Sequence, residues 1–362
     1  MKTIGIVSLA ILASCGGAKR ATGFASPSPG TSMPAAADST GAGAVAVGPA
    51  APPSPGATIA TDEPGPLPQS GQLTAGVWDD NLNFNFFEAY ASRVATSQDL
   101  GVFGRDEQRR ARELFAQPSK RNELDVQLVV DTTGSMGDEL SYLQSELISI
   151  ANQIRERFPQ VKPRWSLVLY KDSGDEYVTR PFDFTTDVVQ FQKQLAAQSA
   201  GGGGDFPEAV IDGLSRGLQQ QWRSDTGVAK VMFWVADAPP HPGEGGKFAT
   251  VVRSARDRGV HVYPIASSGI DDGTEYQMRA AAQLTGGRYL FLTDDSGVGN
   301  SHAEPHIPCY SVTRLDRAVV RMIETELAGR QVATKPADVL RRVGAPDESG
   351  TCRVGETQVV AF

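Results

Sequence analysis

The sequence predicts an α/β fold: a doubly wound, mainly parallel central sheet with helices on both faces. Three observations carry this reading. Short, strongly apolar runs alternate with longer segments whose apolar residues recur at three- and four-residue steps. Val126 to Val130 and Val231 to Val235 are continuous apolar runs, as strands buried on both faces require. Each of these runs leads straight into an acid, Asp131 and Asp237. Parallel strands deliver such loops to one rim of the sheet, outside their carboxyl ends.

The elements follow in order. Leu73 to Lys120 is a preface dense in aromatics, with Trp78, Leu82, Phe84, Phe86, Phe87 and Tyr90, and Asp106 to Gln117 is rich in helix formers. One or two helices laid against the main domain are expected there. The regular pattern starts at Asp125, and Val126 to Val130 is its first strand. Leu140, Leu143, Leu147, Ile150, Ile154 and Phe158 then mark one helix face. Arg164 to Tyr170 is a second strand. Tyr177 to Phe184 alternates, which suits an antiparallel or edge strand. Asp187 to Ala197 is helical. Val210, Leu214, Leu218 and Trp222 mark a helix opened by Pro207 near its first turn. Val231 to Val235 is the central strand, and Phe248, Val251, Val252 and Ala255 form the next helix. Val260 to Ile265 is a strand that Pro264 should limit. Glu275 to Leu284 is a helix and Arg288 to Thr293 the last strand. Leu315, Val319, Met322, Ile323 and Leu327 close with a helix. No internal repeat is visible.

The chain start reads as an address. Lys2 precedes the apolar stretch Ile4 to Ala13, too short for a bilayer, which needs about 20 residues. It fits the core of a signal peptide over residues 1–14. Leu12-Ala13-Ser14-Cys15 resembles a bacterial lipobox, which implies cleavage before Cys15 and lipid on that cysteine. Several acyl chains anchor stably where one does not. An ordinary secretory signal with an incidental Cys15 is the plainer alternative. Gly16 resembles the enteric pattern for outer-membrane sorting, so a lipoprotein of the cell envelope is expected. Residues 15–72 are Ala, Gly, Pro, Ser and Thr with almost no large apolar side chains. Such a composition cannot offset its ordering entropy and reads as a disordered tether.

Beyond the tether, the expected organisation is an aromatic extension (73–122), a main domain (123–329) and a C-terminal tail (330–362). The formal charge of −8 argues against nucleic acid as a partner. No second apolar stretch is long enough to cross a membrane. Cys309 and Cys352 in an exported chain invite a disulfide pinning the tail, the alternative being two free buried thiols. Closing a span of roughly 40 residues contributes about 4 kcal/mol on the chain-entropy model.

The candidate site lies in three loops. Asp131-x-Thr133-x-Ser135 places three oxygen groups at alternate positions just past a strand, where alternate side chains point the same way. Gly134 lets the backbone turn tightly. Gly201 to Gly204 permits close backbone approach to an ion, and Asp205 follows, as a ligand or as the cap of the next helix. Asp237 completes the cluster. Carboxylates and hydroxyls without thiol or imidazole at ligand spacing suit a hard divalent cation, Mg²⁺ or else Mn²⁺ or Ca²⁺. Each loop alone is also a plain turn or cap. Gly204, Glu208 and His241 stand beside the site as its ligand-facing rim. His302, His306 and Cys309 have a loose zinc-like spacing that a disulfide at Cys309 would rule out.

With these loops in order, the segment from about Glu123 to Gly329 resembles the von Willebrand factor A domain with its metal-ion-dependent adhesion site. It is most similar to a bacterial branch with D-x-T-x-S, G-G-G-D-x-P-E and D-x-P-P-H loops; Tyr170-Lys-Asp172, Pro264-Ile-Ala-Ser-Ser-Gly269 and Leu292-Thr-Asp-Asp-Ser-Gly297 also match that branch. The resemblance implies that Asp131, Thr133 and Ser135 serve the metal from the first loop and Asp237 from the third. The second loop departs from the adhesion pattern, with Asp205 where a threonine is usual. The function implied is a lipid-anchored envelope adhesion module, not an enzyme, capturing a protein ligand through an exposed carboxylate. The alternatives are a metal-dependent hydrolase of phosphate esters and an envelope assembly scaffold with no essential ion.

Overall fold

The computed structural model describes residues 72–362 apart from 95–99, 101–102, 117–118 and 299. The expected signal peptide (1–14), Cys15 and the tether up to its last residue lie outside the described residues. In chain order the elements are β1 (Thr74–Trp78), α1 (Phe84–Val94), α2 (Arg105–Phe115), β2 (Glu123–Asp131), α3 (Gly137–Arg157), β3 (Pro163–Tyr170), β4 (Thr179–Thr185), α4 (Val188–Ala196), α5 (Val210–Leu218), β5 (Val228–Ala236), α6 (Gly245–Asp257), β6 (Val260–Ala266), α7 (Asp272–Thr285), β7 (Tyr289–Thr293), β8 (Tyr310–Arg314), α8 (Leu315–Ala328), β9 (Val339–Val343) and the hairpin β10 (Thr351–Val354) and β11 (Thr357–Val360).

Nine strands form one sheet in the order β4-β3-β2-β5-β6-β7-β1-β8-β9. The central five, β3, β2, β5, β6 and β7, are parallel. β4 closes one edge antiparallel, as the alternation over 177–184 predicts. β1, β8 and β9 extend the other edge antiparallel. The chain runs from β2 outward to β3 and then returns to β5 on the opposite flank of β2. The sheet therefore has its switch point between β2 and β5, where connections diverge and open a crevice at the carboxyl ends of the strands. Asp131 ends β2 and Asp237 directly follows β5.

The apolar runs behave as doubly buried strands must. Leu124, Val126, Leu128 and Val130 of β2, with Val231, Phe233 and Val235 of β5, pack under α3, α4 and α8. The intervening Val129, Met232, Trp234 and Ala236 pack under α1, α2, α5, α6 and α7. Among the described residues, no helix is long and apolar enough to cross a membrane.

Four expectations are corrected. The preface supplies two helices and also a strand: β1 enters the main sheet between β7 and β8. Gly76 makes this possible, because a Cβ there would lie 2.2 Å from the ring of Phe291 on β7. β7 is not the last strand, since β8, β9 and the hairpin follow it. The helix expected to run through Trp222 stops at Leu218. The Gly217 carbonyl near its end is taken by Trp222 Nε1 at 3.0 Å and Gln127 Nε2 at 3.1 Å. That helix opens at Val210 rather than near Pro207, with Ala209 as its cap and no side-chain cap bond, so Asp205 does not cap it. Pro264 does limit β6 on one side: β6 pairs with β5 from Val260 to Ala266 but with β7 only at Ile265 and Ala266.

A disulfide joins Cys309, just before β8, to Cys352 in β10. The expected pin on the tail is present, and the zinc-like reading of His302, His306 and Cys309 falls with it.

Candidate metal centre

The first loop is organised by its own acid. Asp131 is fully buried, and its Oδ1 accepts from the Thr133 amide at 2.9 Å and the Thr133 hydroxyl at 2.7 Å. Thr133 Oγ1 lies 3.5 Å from Ser135 Oγ, and the Ser135 hydroxyl donates to Asp237. Asp131, Thr133, Ser135 and Asp237 thus form one continuous set of oxygen atoms across the switch point.

Backbone contacts hold the second loop against the first. Gly201 N donates to Thr132 O at 3.0 Å and Gly134 N to Gly202 O at 3.1 Å. The buried Lys171 ammonium donates to the carbonyls of Thr132 and Gly201. Gly202 and Gly203 adopt φ of 86° and 73°, the left-handed region that favours glycine. Side chains would also collide there: a Cβ on Gly202 would meet Asp175 Oδ1 at 2.4 Å. The Asp175 carboxylate instead accepts from Gly203 N. Glu208 N donates to Pro239 O at 2.9 Å, which ties the second loop to the third.

Three buried carboxylate oxygens at this rim have no hydrogen-bond partner: Asp131 Oδ2, Asp237 Oδ1 and Glu208 Oε2. Burial pushes the Asp131 carboxyl up to about 7, with the charge of Asp237 adding to it and Thr133 and Lys171 opposing. Burial likewise lifts Glu208 to about 8, helped by the charges of Asp131, Asp172 and Asp175 and opposed by a hydrogen bond from Thr133. Asp237 is raised by burial, and its bond from Ser135 works against the shift. Buried like charges of this kind destabilise a fold unless a cation or protons neutralise them. The orphaned oxygens, with two hydroxyls and no sulfur, fit a hard divalent cation. Asp237 and Glu208 line a cavity of about 460 Å³ together with Ser135, Gly204, Asp205 and Ser268 among others, while Asp131 is fully buried.

The rim residues divide. Gly204 and Glu208 line this cavity, and Glu208 is more deeply buried than a rim residue need be, at 3% exposure. Asp205 is exposed and stands with Asp172 and His241, one ligand atom from each lying within 4.8 Å of the others. His241 Nε2 is 2.6 Å from Asp172 Oδ1.

Sequence reasoning passed over Glu139. It is fully buried, accepts from the Ser268 hydroxyl, keeps Oε2 without a partner and presses its charge on Asp237. A signal existed: Glu139 shares the helical register of Leu143 and Ile150 on the buried face of α3, where an acid is out of place.

Residues 125–299 match the family model of the von Willebrand factor A domain. Two curated relatives are similar over parts of their length. A putative ariadne-like RING finger protein of Acanthamoeba polyphaga mimivirus is 28% identical over 187 residues, covering 47% of this chain and 18% of that protein. The alpha-protein kinase vwkA of Dictyostelium discoideum is 27% identical over 124 residues, covering 33% of this chain and 19% of that one. The chain thus spans less than a fifth of the length of these relatives. Among solved structures, the pilus adhesin SpaC from Lactobacillus rhamnosus GG superposes with a TM-score of 0.39 at 14% identity, over 50% of this chain and 30% of that one. The conserved hypothetical protein BatB from Bacteroides thetaiotaomicron gives 0.40 at 11% identity, over 56% and 98%.

Proposed function

We propose that this chain is a cation-dependent protein-binding module of the cell envelope, held to a bacterial membrane, the outer one, by lipid on Cys15. Asp131, Thr133, Ser135 and Asp237 hold Mg²⁺ or a similar hard cation, with Asp205 bordering the same cavity. When bound, the cation supplies an electrophilic position that an exposed carboxylate of a partner protein completes. The chain's own residues do the rest. Asp131 and Asp237 supply charge from opposite sides of the switch point. The two hydroxyls add neutral donors, so the protein brings no more than two negative charges to the ion before a partner carboxylate arrives. Gly204, Glu208 and His241 shape the rim against which the partner sits. The module binds and does not catalyse.

One observation carries this reading: buried carboxylate oxygens of Asp131 and Asp237, from loops far apart in sequence but linked through Thr133 and Ser135, stand without hydrogen-bond partners, and Ser135 and Asp237 line a cavity. A pull-down from envelope extract, with and without chelator, compares the intact protein with Asp131→Ala. Partners are expected to disappear in both perturbed samples. Partners retained in chelator would favour the scaffold, and turnover of a phosphate ester by the pure protein would favour the hydrolase. Cys15→Ser is expected to release the protein from the membrane fraction.

A further inference from the structure

We infer that Asp172, Asp205 and His241 form a second metal site beside the first, selective for a divalent transition ion such as Zn²⁺, Mn²⁺ or Co²⁺. It goes beyond the proposed function and does not rest on it, since none of its three residues belongs to the Asp131–Thr133–Ser135–Asp237 set.

The three donors arrive from three separate loops. Asp172 follows β3, Asp205 follows the glycine run, and His241 follows Pro239 and Pro240 after β5. Their ligand atoms converge within 4.8 Å. Burial is graded: Asp172 is buried, His241 half-buried and Asp205 exposed, so the cluster has a closed floor and an open side. An ion can enter from that side and keep water or an external ligand there.

The position of His241 is fixed before any ligand arrives. Two prolines hold φ of the approaching chain, and Glu208 pairs with Pro240 across the loops while its amide bonds Pro239 O. His241 Nε2 already sits against Asp172 Oδ1 at 2.6 Å.

Glu208 supplies an independent observation. It is 3% exposed, its Oε2 has no partner, and the charges of both Asp131 and Asp172 act on it. A buried acid with a free oxygen, close enough to feel both Asp131 and Asp172, is a group that a neighbouring cation would satisfy.

The donor chemistry separates the two sites. The first offers only oxygen, which suits Mg²⁺ and Ca²⁺. The second adds an imidazole nitrogen to two carboxylates, a mixture that favours first-row transition ions over Mg²⁺.

Co²⁺ serves as the probe, titrated into the intact protein in a large excess of Mg²⁺ and followed by its visible d–d absorption. One equivalent is expected to bind with a saturable band, and Asp131→Ala should keep it. His241→Ala should weaken it by at least the roughly 10–100-fold that losing even a supporting residue costs a metal site. His241→Gln keeps a hydrogen-bonding partner for Asp172 but removes the nitrogen ligand, so it reads the same loss in a chain with its loop contacts intact. A band unchanged by both His241 variants would overturn the proposal. So would Co²⁺ competing with Mg²⁺ for a single site that vanishes in Asp131→Ala; in that case Asp205 belongs to the first centre and His241 only hydrogen-bonds Asp172.

Discussion

Asp131→Asn separates the binding role of the centre from its cost to the fold. Asparagine keeps an Oδ1 that can accept from the Thr133 amide and hydroxyl, but it removes the charge. In the metal-free protein, burial and the neighbouring Asp237 lift the Asp131 carboxyl from 3.8 to about 7. The sign follows from linkage. The folded chain holds this proton more tightly than the unfolded one, so stability falls as pH rises from about 4 to about 7, and the penalty is complete above that window. The shift corresponds to something on the order of 4 kcal/mol. In chelator at pH 8 the variant should therefore melt above the wild type, by roughly 8–16 °C for a large domain. At pH 4 the two should melt together. Saturating Mg²⁺ should close most of the gap: the wild type gains about 2.7 kcal/mol at a hundredfold excess over its dissociation constant, and the variant gains nothing. Thermal melts followed by circular dichroism at pH 4 and 8, with EDTA or MgCl₂, measure all four states. A variant less stable than wild type in EDTA at pH 8, or equal gains from Mg²⁺, would refute the reasoning.

Three further outcomes follow from other parts of the molecule. Replacing Cys309 and Cys352 with serine opens a bridge spanning 43 residues and should cost about 4 kcal/mol, read as a lower denaturation midpoint that dithiothreitol reproduces in the wild type. Arg279 is fully buried, pairs with Asp80 at 2.7 Å and Glu275 at 2.9 Å, and joins the preface to α7. Arg279→Met should cost about 3–5 kcal/mol by stranding two acids, and adding Asp80→Asn should recover part of it in urea melts. Glu326 would be raised by burial, but His261, Arg121 and Tyr263 outweigh that and hold it down at about 2. Its contribution is complete above about 4.5 and fades as pH falls toward 2, so Glu326→Gln should flatten that part of the acid unfolding curve.

What the sequence made legible was whatever it encoded locally. Val126–Val130 and Val231–Val235 announce doubly buried parallel strands because both faces must be apolar. Asp131 and Asp237 are conspicuous because each follows such a run directly. β1 stayed hidden for the converse reason. Thr74–Trp78 is five residues with a central glycine, and it becomes a strand only because β7 and β8 flank it on both sides. β9 is a half-exposed edge whose two adjacent arginines dilute its alternation. At the site, sequence order shows which acids end strands but not which are buried together. Glu208 read as a rim residue, yet its burial depends on Pro239 and Pro240 folding over it. Asp172 read as part of a charged loop, although it lies against His241, 69 positions away.

The contacts that hold the rim also explain how a cation can act there without rebuilding it. The first and second loops are joined through Gly201 N to Thr132 O, Gly134 N to Gly202 O and the Lys171 ammonium; the second and third are joined through Glu208 N to Pro239 O. None of these bonds uses a carboxylate of the Asp131 and Asp237 pair. The loops are thus positioned without these two acids, each of which keeps one buried oxygen with no hydrogen-bond partner. Such an arrangement is pre-organised: little ordering remains to be done when an ion enters, so more of its interaction energy appears as affinity. The cost sits instead in the fold, as buried carboxylates whose repulsion the sheet must absorb. Strand pairing on both sides of β2 and β5 is what supplies that support, because moving Asp131 away from Asp237 would mean separating two paired interior strands of the sheet.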